Sequence, residues 1–386
     1  GRDPHQMYLV LKYCLQDTLL PLLLVEKLMI LPQLIEMARV TFTFLQDLLS
    51  RGQMFKTMSL LFMFARSRGF ILTNGRDWVK EGMVQYQGAT VLEIDPGVFK
   101  MVAVFDFASL YPSIIRAYNL CYTSFVTDPA NLDLPGYRYF TKETDIGTFT
   151  YQQTLPGLLP QMVESLLSAR RDTKKALRVA KESNNLGLAA ILDGRQLALK
   201  ISCNSIYGFT GAAKVGVYPC PPIAATTTAN GRSLIEKTRA CIHDRFSGCR
   251  VIAGDTDSVF VHFQEIEDTP QGFQAIFQKG NQMAKEINTI FPKEIVLEFE
   301  KIYLFFINMS KKCYVGSKFE DVKDKGTIDA KGYASVRRDF CQFQRRTLQE
   351  TVGILVLEKD PNKAIEFLLA QFKALLDGQV PFEALV

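Results

Sequence analysis

The stretch Gly254-Asp255-Thr256-Asp257-Ser258 lies between two apolar runs. Val251-Ile252-Ala253 precedes it, and Val259-Phe260-Val261-His262-Phe263, rich in strand-favouring residues, follows. Such flanks predict a β-hairpin with carboxylates at its tip. Working outward, Asp106 leaves another short apolar run, Met101-Val102-Ala103-Val104-Phe105, and is followed by Phe107-Ala108-Ser109-Leu110-Tyr111-Pro112-Ser113. Aspartates delivered by two strand ends suit a paired-magnesium phosphoryl-transfer site, since magnesium takes few protein ligands and completes its octahedron with phosphate and water. An aspartate on a turn also commonly bonds its own backbone, so neither segment decides alone.

A third segment lies between them: Lys200-Ile201-Ser202-Cys203-Asn204-Ser205-Ile206-Tyr207-Gly208. As a helix it puts Lys200, Asn204 and Tyr207 at i, i+4 and i+7 on one face, with Gly208 placed to terminate it. A cation, an amide and an aromatic then form one polar stripe on an otherwise apolar helix.

In this order, DFASLYPSII (Asp106 to Ile115), KISCNSIYG (Lys200 to Gly208) and GDTDS (Gly254 to Ser258) resemble the three polymerase motifs of family B DNA polymerases, in their delta-like branch from cells and large DNA viruses. EMARVTFTF (Glu36 to Phe44), LLSRGQ (Leu48 to Gln53), LEFEKIY (Leu297 to Tyr303), KKCY (Lys311 to Tyr314) and KGYASVRRD (Lys331 to Asp339) extend the resemblance over nearly the whole chain. It implies an α+β right hand with an antiparallel-sheet palm, two-helix fingers and a partial helical thumb. The expected layout is the end of a 3′–5′ exonuclease and a connector over 1–60, palm over 61–152, fingers over 153–216, palm again over 217–345, and the start of a thumb over 346–386.

The resemblance also implies roles. Asp106 and Asp257 would hold two Mg2+ ions, Asp255 would be a supporting catalytic carboxylate, and Glu300 is either a carboxylate near the metals or an exposed charge. Arg170, Lys174 and Lys200 would meet the triphosphate of a dNTP, with Ser109, Leu110, Asn204 and Tyr207 beside the nucleotide. Tyr111 would pack under the sugar and exclude a 2′-hydroxyl. Primer–template DNA would touch Gly88, within the template-strand motif Tyr86-Gln87-Gly88-Ala89, and Lys311, Lys312, Tyr314, Lys331, Arg337 and Arg338. The third residue of the K-K-x-Y element is often basic, and here it is Cys313, a departure that bears on one phosphate contact and not on the element.

Tyr13 and Asp17, four apart, resemble the last exonuclease motif, and the earlier two are expected upstream of Gly1. The chain therefore reads as an internal fragment of a longer polymerase with proofreading, a sliding clamp and accessory subunits, working in a nucleus or a viral replication site. Alternatives are a non-catalytic homologue acting as a DNA-binding module, which would be expected to lose Asp106 or Asp257, an RNA-synthesising polymerase, which needs no bulky gate at Tyr111, and a nuclease.

Composition adds bounds. With 386 residues and 47% hydrophobic content the chain can bury substantial cores. Its 45 basic and 40 acidic residues leave only +5, so a nucleic-acid surface must come from local clustering. Arg170, Arg171, Lys174, Lys175, Arg178 and Lys181 form one such cluster, opposed by Asp172; a run of this kind is usually a solvated face, an alternative that stays open for Arg171, Lys175, Arg178 and Lys181. The eight cysteines contain no C-x-x-C pair, which argues against zinc or a disulfide framework and reads as core thiols. Leu19 to Ile35 is apolar but broken by Pro21, Glu26, Lys27 and Pro32, and is expected not to span a bilayer, so no membrane partner is expected.

Overall fold

Dense apolar residues at helical spacing make the first described stretch a series of helices: α1 (Pro4–Lys27), α2 (Ile30–Thr41), α3 (Leu45–Ser50) and α4 (Gln53–Ser67). The structure, a computed structural model, describes residues 3–72, 85–337 and 339–386. Strand β1 (Gly97–Phe107) leads into α5 (Leu110–Ala117), then β2 (Phe125–Val126), β3 (Tyr139–Thr144) and β4 (Gly147–Gln152), and the long helices α6 (Leu158–Glu182) and α7 (Leu186–Gly211). Next come α8 (Pro221–Arg245), β5 (Cys249–Asp255), β6 (Ser258–Phe263), α9 (Pro270–Asn288), β7 (Leu297–Ser310), β8 (Cys313–Phe319), β9 (Thr327–Lys331), α10 (Gln342–Gly353) and α11 (Pro361–Leu376). Helices and antiparallel sheets together make the fold α+β.

The chain divides into two compact units. One comprises Gly1–Gln87 and Tyr111–Thr228, the other Gly88–Leu110 and Ala229–Val386.

The second unit is built on a six-stranded sheet in the order β5-β6-β1-β7-β8-β9. An uninterrupted apolar run is what a strand buried on both faces needs, and β1 fits it: Met101 to Phe105 are all buried. On one face Val102, Val104, Ile252, Phe260, Tyr303, Phe306 and Tyr314 make one apolar cluster. On the other, Phe105 meets Phe299 (5.7 Å between ring centroids), Phe299 meets Phe277 of α9 (5.7 Å), and Phe107 meets Phe291 (5.5 Å). Gly280 lets α9 close on the sheet, because a Cβ there would lie 2.6 Å from the Phe299 ring.

In the first unit α6 and α7 form a helical hairpin. Asn184 takes the left-handed φ of +55° at the turn, and Asn185 caps α7 by accepting from the Leu188 amide at 3.1 Å. Leu177, Ala180 and Ala189 pack the two helices together beside this turn. Helix α2 lies against α7, and Glu36 is buried there (2% exposed) with Arg39 at 2.8 Å and Arg195 of α7 at 3.8 Å.

Three expectations need correction. Gly208 does not end its helix, which runs on to Gly211 because Phe209 and Thr210 are buried and hold the extra turn in place. The thiols are not uniformly core: Cys121, Cys203, Cys220 and Cys241 are buried, Cys249, Cys313 and Cys341 half-buried, and Cys14 exposed, all unpaired. The apolar stretch read over Leu19 to Ile35 is not the unit the fold uses: α1 runs from Pro4 to Lys27 with Pro21 inside it, where the proline removes only the bond to the exposed Asp17 carbonyl. Helix α1 is by length and composition the one helix among the described residues long and apolar enough to cross a membrane, and none of its residues is buried.

If Gly280 sets the α9–β7 spacing, Gly280→Val will lower stability by about 1–3 kcal/mol, the range for overpacking a filled core. The urea midpoint of the purified chain measures this, and an unchanged midpoint would mean that α9 can move off Phe299.

Candidate active site

The Asp257 turn is built by the backbone. Asp255 and Ser258 end β5 and β6 opposite each other, leaving Thr256 and Asp257 to reverse the chain. Thr256 has φ +58°, rare for a β-branched residue, and the Asp257 amide donates to the Asp255 carbonyl at 2.6 Å. Gly254 faces Leu92, whose side chain would lie 2.7 Å from any Cβ at that position. Two outside bonds hold the loop: the Thr256 amide donates to the Thr90 carbonyl (3.1 Å), and the Phe107 amide donates to the Asp257 carbonyl (2.8 Å). Because β1 and β6 pair with Asp106 opposite Ser258, Asp106 and Asp257 stand at one end of neighbouring strands.

Their electrostatics are unfavourable as they stand. Burial first, then the Asp257 and Glu300 carboxylates, raise the Asp106 carboxyl from its ordinary 3.8 to about 7, and Lys301 opposes them. Asp257 is also raised, chiefly by burial and also by Asp255 and Glu300, with its own backbone and Lys331 pulling the other way. Two half-buried carboxylates that repel each other suit a hard divalent cation. Among the described residues no group of three or more His, Cys, Asp or Glu is arranged to hold a metal ion. Asp255 differs, being ion-paired to Lys312 at 3.3 Å.

Glu300 is the extra residue of a β-bulge: Val104 pairs with Lys301 and Phe105 with Phe299, leaving Glu300 unmatched and exposed. Lys301 was inside the quoted LEFEKIY run, and nothing in its spacing marked it, because its placement depends on that bulge.

The first unit gathers the other named residues on α5, α6 and α7. Lys200 and Asn204 are exposed and Tyr207 half-buried along one stripe of α7. The Tyr207 ring lies 4.3 Å from that of Tyr111, and its hydroxyl is 3.4 Å from the Tyr86 hydroxyl. The basic run on α6 separates into two sets. Arg171 pairs with Glu164 (3.1 Å), Lys175 with Asp172 (3.8 Å) and Arg178 with Glu182 (3.7 Å). Arg170, Lys174 and Lys181 of the run, and Lys200 of α7, have no carboxylate within ion-pair distance among the described residues, and the buried Nε of Arg170 lacks any hydrogen-bond partner.

The residues named for DNA are spread over the second unit. Lys311 pairs with Glu93 at 2.6 Å, Tyr314 is buried in the sheet's apolar cluster, and Lys331 lies 5.8 Å from the Tyr314 ring. Arg337 is paired with Asp339 at 2.5 Å, and Arg338 lies outside the described residues. The Gly88 carbonyl accepts from Arg232 at 2.7 Å, an arginine that the sequence reading missed. Ser109 has φ +50° just before α5, where Leu110 is buried. Tyr13 and Asp17 lie exposed on α1.

Two half-buried carboxylates thus stand together at one strand end of an antiparallel sheet in an α+β chain. The particular family follows from comparison: the model of DNA polymerase family B matches residues 43–386, and the chain belongs to that family. It is 40% identical over 384 residues to the DNA polymerase delta catalytic subunit of Arabidopsis thaliana, covering 97% of this chain and 34% of that protein. It is 37% identical over 382 residues to a DNA polymerase of Paramecium bursaria Chlorella virus NY2A, covering 97% of this chain and 42% of that protein. The delta catalytic subunit of Dictyostelium discoideum is 38% identical over 400 residues, covering 100% of this chain and 34% of that protein. The chain thus spans between about a third and two fifths of the length of these relatives.

The Asp106 shift fixes a sign. A carboxyl that holds its proton more tightly folded than unfolded contributes stability below its unfolded pKa, and that contribution is lost as pH rises through about 7. With chelator present, Asp106→Asn should therefore melt above the wild type at about pH 8, and the gap should close toward about pH 5. Calorimetry across that range measures it; equal melting temperatures at both pH values would mean that the carboxyl is not strained.

Proposed function

We propose that this chain carries the polymerising part of a template-directed, DNA-dependent DNA polymerase, extending a primer 3′-hydroxyl with dNTPs during replication. The observation that supports this most is the pairing of Asp106 and Asp257 at one strand end, held by the Phe107–Asp257 backbone bond and left with excess negative charge. The names of the relatives, all DNA polymerases, support the same reading.

Asp106 and Asp257 would hold two magnesium ions, which supply the positive charge that acidifies the primer hydroxyl and offsets charge on the transferred phosphoryl group. The chain's own groups do the rest. Arg170, Lys174 and Lys200 bind the triphosphate, and the unsatisfied Nε of Arg170 supports this because a buried guanidinium nitrogen normally finds an acceptor. Tyr111, backed by Tyr207, fills the space that a 2′-hydroxyl would need, while Asn204, Ser109 and Leu110 flank the nucleotide. Lys311, Lys312, Tyr314, Lys331, Arg337, Arg338 and Gly88 meet primer–template DNA, with phosphates displacing Glu93 and Asp255 from the two lysines. In this reading the six-stranded sheet belongs to a palm, α6 and α7 are fingers, and α10 and α11 begin a thumb. The longer protein would add 3′–5′ proofreading, with Tyr13 and Asp17 as part of that site, and a sliding clamp and accessory subunits in a nucleus or viral replication site.

Asp106→Asn or Asp257→Asn should abolish primer extension while primer–template binding by fluorescence anisotropy stays within a few-fold. Near wild-type extension by either variant would sink the assignment. Changing Lys200 to Ala should raise KM for dNTPs more than it weakens DNA binding, and unchanged nucleotide kinetics would return it to a solvated face. Tyr111→Ala should lower the ratio of kcat/KM for dNTP over rNTP by about one to three orders of magnitude, since each 1.36 kcal/mol of lost clash is about tenfold in rate. An unmoved ratio would put sugar selection elsewhere.

A further inference from the structure

One cation in the second unit is held with unusual care beside the acidic strand ends. Lys301 pairs in register with Val104, two residues before Asp106 on the same face of β1. Its side chain is only 11% exposed, and its Nζ lies 3.4 Å from Asp329 Oδ2 and 3.6 Å from Glu300 Oε1. The same Asp329 oxygen accepts a 2.6 Å hydrogen bond from the Tyr303 hydroxyl. The Nζ also lies 5.7 Å from the centre of the fully buried Tyr303 ring.

The sheet is shaped for this arrangement. Asp329 is on β9 and Tyr303 on β7, with β8 between them. The β8 residue paired with Asp329 is Gly316, and a Cβ there would lie 2.7 Å from the Tyr303 ring and 2.7 Å from the Phe305 carbonyl oxygen. Without a side chain at Gly316, the Tyr303 ring can lie across β8 and reach Asp329. Burial alone would raise the Asp329 carboxyl, but the Tyr303 hydroxyl and the Lys301 ammonium together hold it below its usual range, so it is a fixed anion.

Lys301 is therefore shared by two carboxylates, Asp329 and Glu300, and is close enough to Asp106 for its charge to pull the Asp106 carboxyl downward. We propose that Asp329 is a positioning residue that anchors the Lys301 ammonium back from Asp106, so that this internal cation, also paired with Glu300, eases the repulsion among the carboxylates without taking the place of a divalent ion. The inference rests on the proposed use of Asp106 and Asp257 as metal ligands. Without the anchor, Lys301 is free to turn toward Asp106 and competes with the metal from inside the protein.

The test is direct binding of Mn2+ to the metal-free protein, followed by electron paramagnetic resonance of the free ion, with magnesium half-saturation of primer extension alongside. Asp329→Asn keeps an acceptor for Tyr303 and removes only the charge; it should weaken Mn2+ binding on the order of tenfold, from a unit-charge change within several ångströms. Lys301→Met should bind Mn2+ at least as tightly as wild type. The double variant Asp329→Asn with Lys301→Met should recover the affinity that the single Asp329 change loses, which a merely structural role would not do. Unchanged affinity in Asp329→Asn, no recovery in the double variant, or weaker binding in Lys301→Met would each overturn the proposal. If Asp329→Asn does not fold, Lys301→Met alone decides. Asp257→Asn serves as reference: retained Mn2+ affinity there would count against the metal-ligand reading itself, separately from the anchor.

Discussion

The pairing of β1 with β6 is the constraint on which the chemistry of the second unit depends. It sets Asp106 opposite Ser258 and brings the Phe107 amide within 2.8 Å of the Asp257 carbonyl, so two aspartates far apart in sequence end up at one strand end. The register cannot slip by one residue. Slipping would turn Val102 and Val104 out of the cluster they share with Phe260 and Tyr303 and into the layer where Phe105 meets Phe299. Burial of β1 on both faces thus fixes where the carboxylates stand, at no expense in residues dedicated to that task.

The same burial makes the site electrostatically poor. Desolvation and mutual repulsion push Asp106 upward, a cost to stability as it stands. Nearby cations divide the remaining charge. Lys312 neutralises Asp255, Lys331 acts on Asp257, and Lys301 is shared between Glu300 and Asp329. Asp106 and Asp257 are left as the least compensated pair, which is the distribution a cation-binding role requires.

How much of this could be read beforehand follows from how local each feature is. The hairpin at Gly254 to Ser258 and the strand ending at Asp106 were legible because apolar runs and turn residues carry local signals. The stripe of Lys200, Asn204 and Tyr207 was legible because helical spacing is regular. Gly208 was misread because burial of Phe209 and Thr210, a tertiary effect, outweighs the local tendency of glycine to stop a helix. The resemblance set Arg170 and Lys174 apart from the rest of the basic run, but which of the others find carboxylates was not legible, since it depends partly on Glu164 facing both Arg116 and Arg171. Lys301 and Asp329 were invisible for a similar reason: a bulge on β7 and a glycine on β8 bring them together, and neither feature has a sequence period.

The lysines of the K-K-x-Y element show how pairing in one state bears on binding in another. Lys311 and Lys312 already hold Glu93 and Asp255, and Glu93 is highly exposed, so its ion pair is weak in water and readily exchanged. Exchange of a carboxylate for a phosphate keeps each lysine neutralised, so the net gain per contact is smaller than for a free cation. It also frees Asp255 from Lys312 at the end of the same turn that carries Asp257. If the proposed phosphate contacts form, occupation of the lysines would then leave more negative charge beside Asp106 and Asp257. Cys313, which donates to the Gly332 carbonyl at 3.5 Å instead of carrying a charge, leaves that exchange to the two lysines alone within the element.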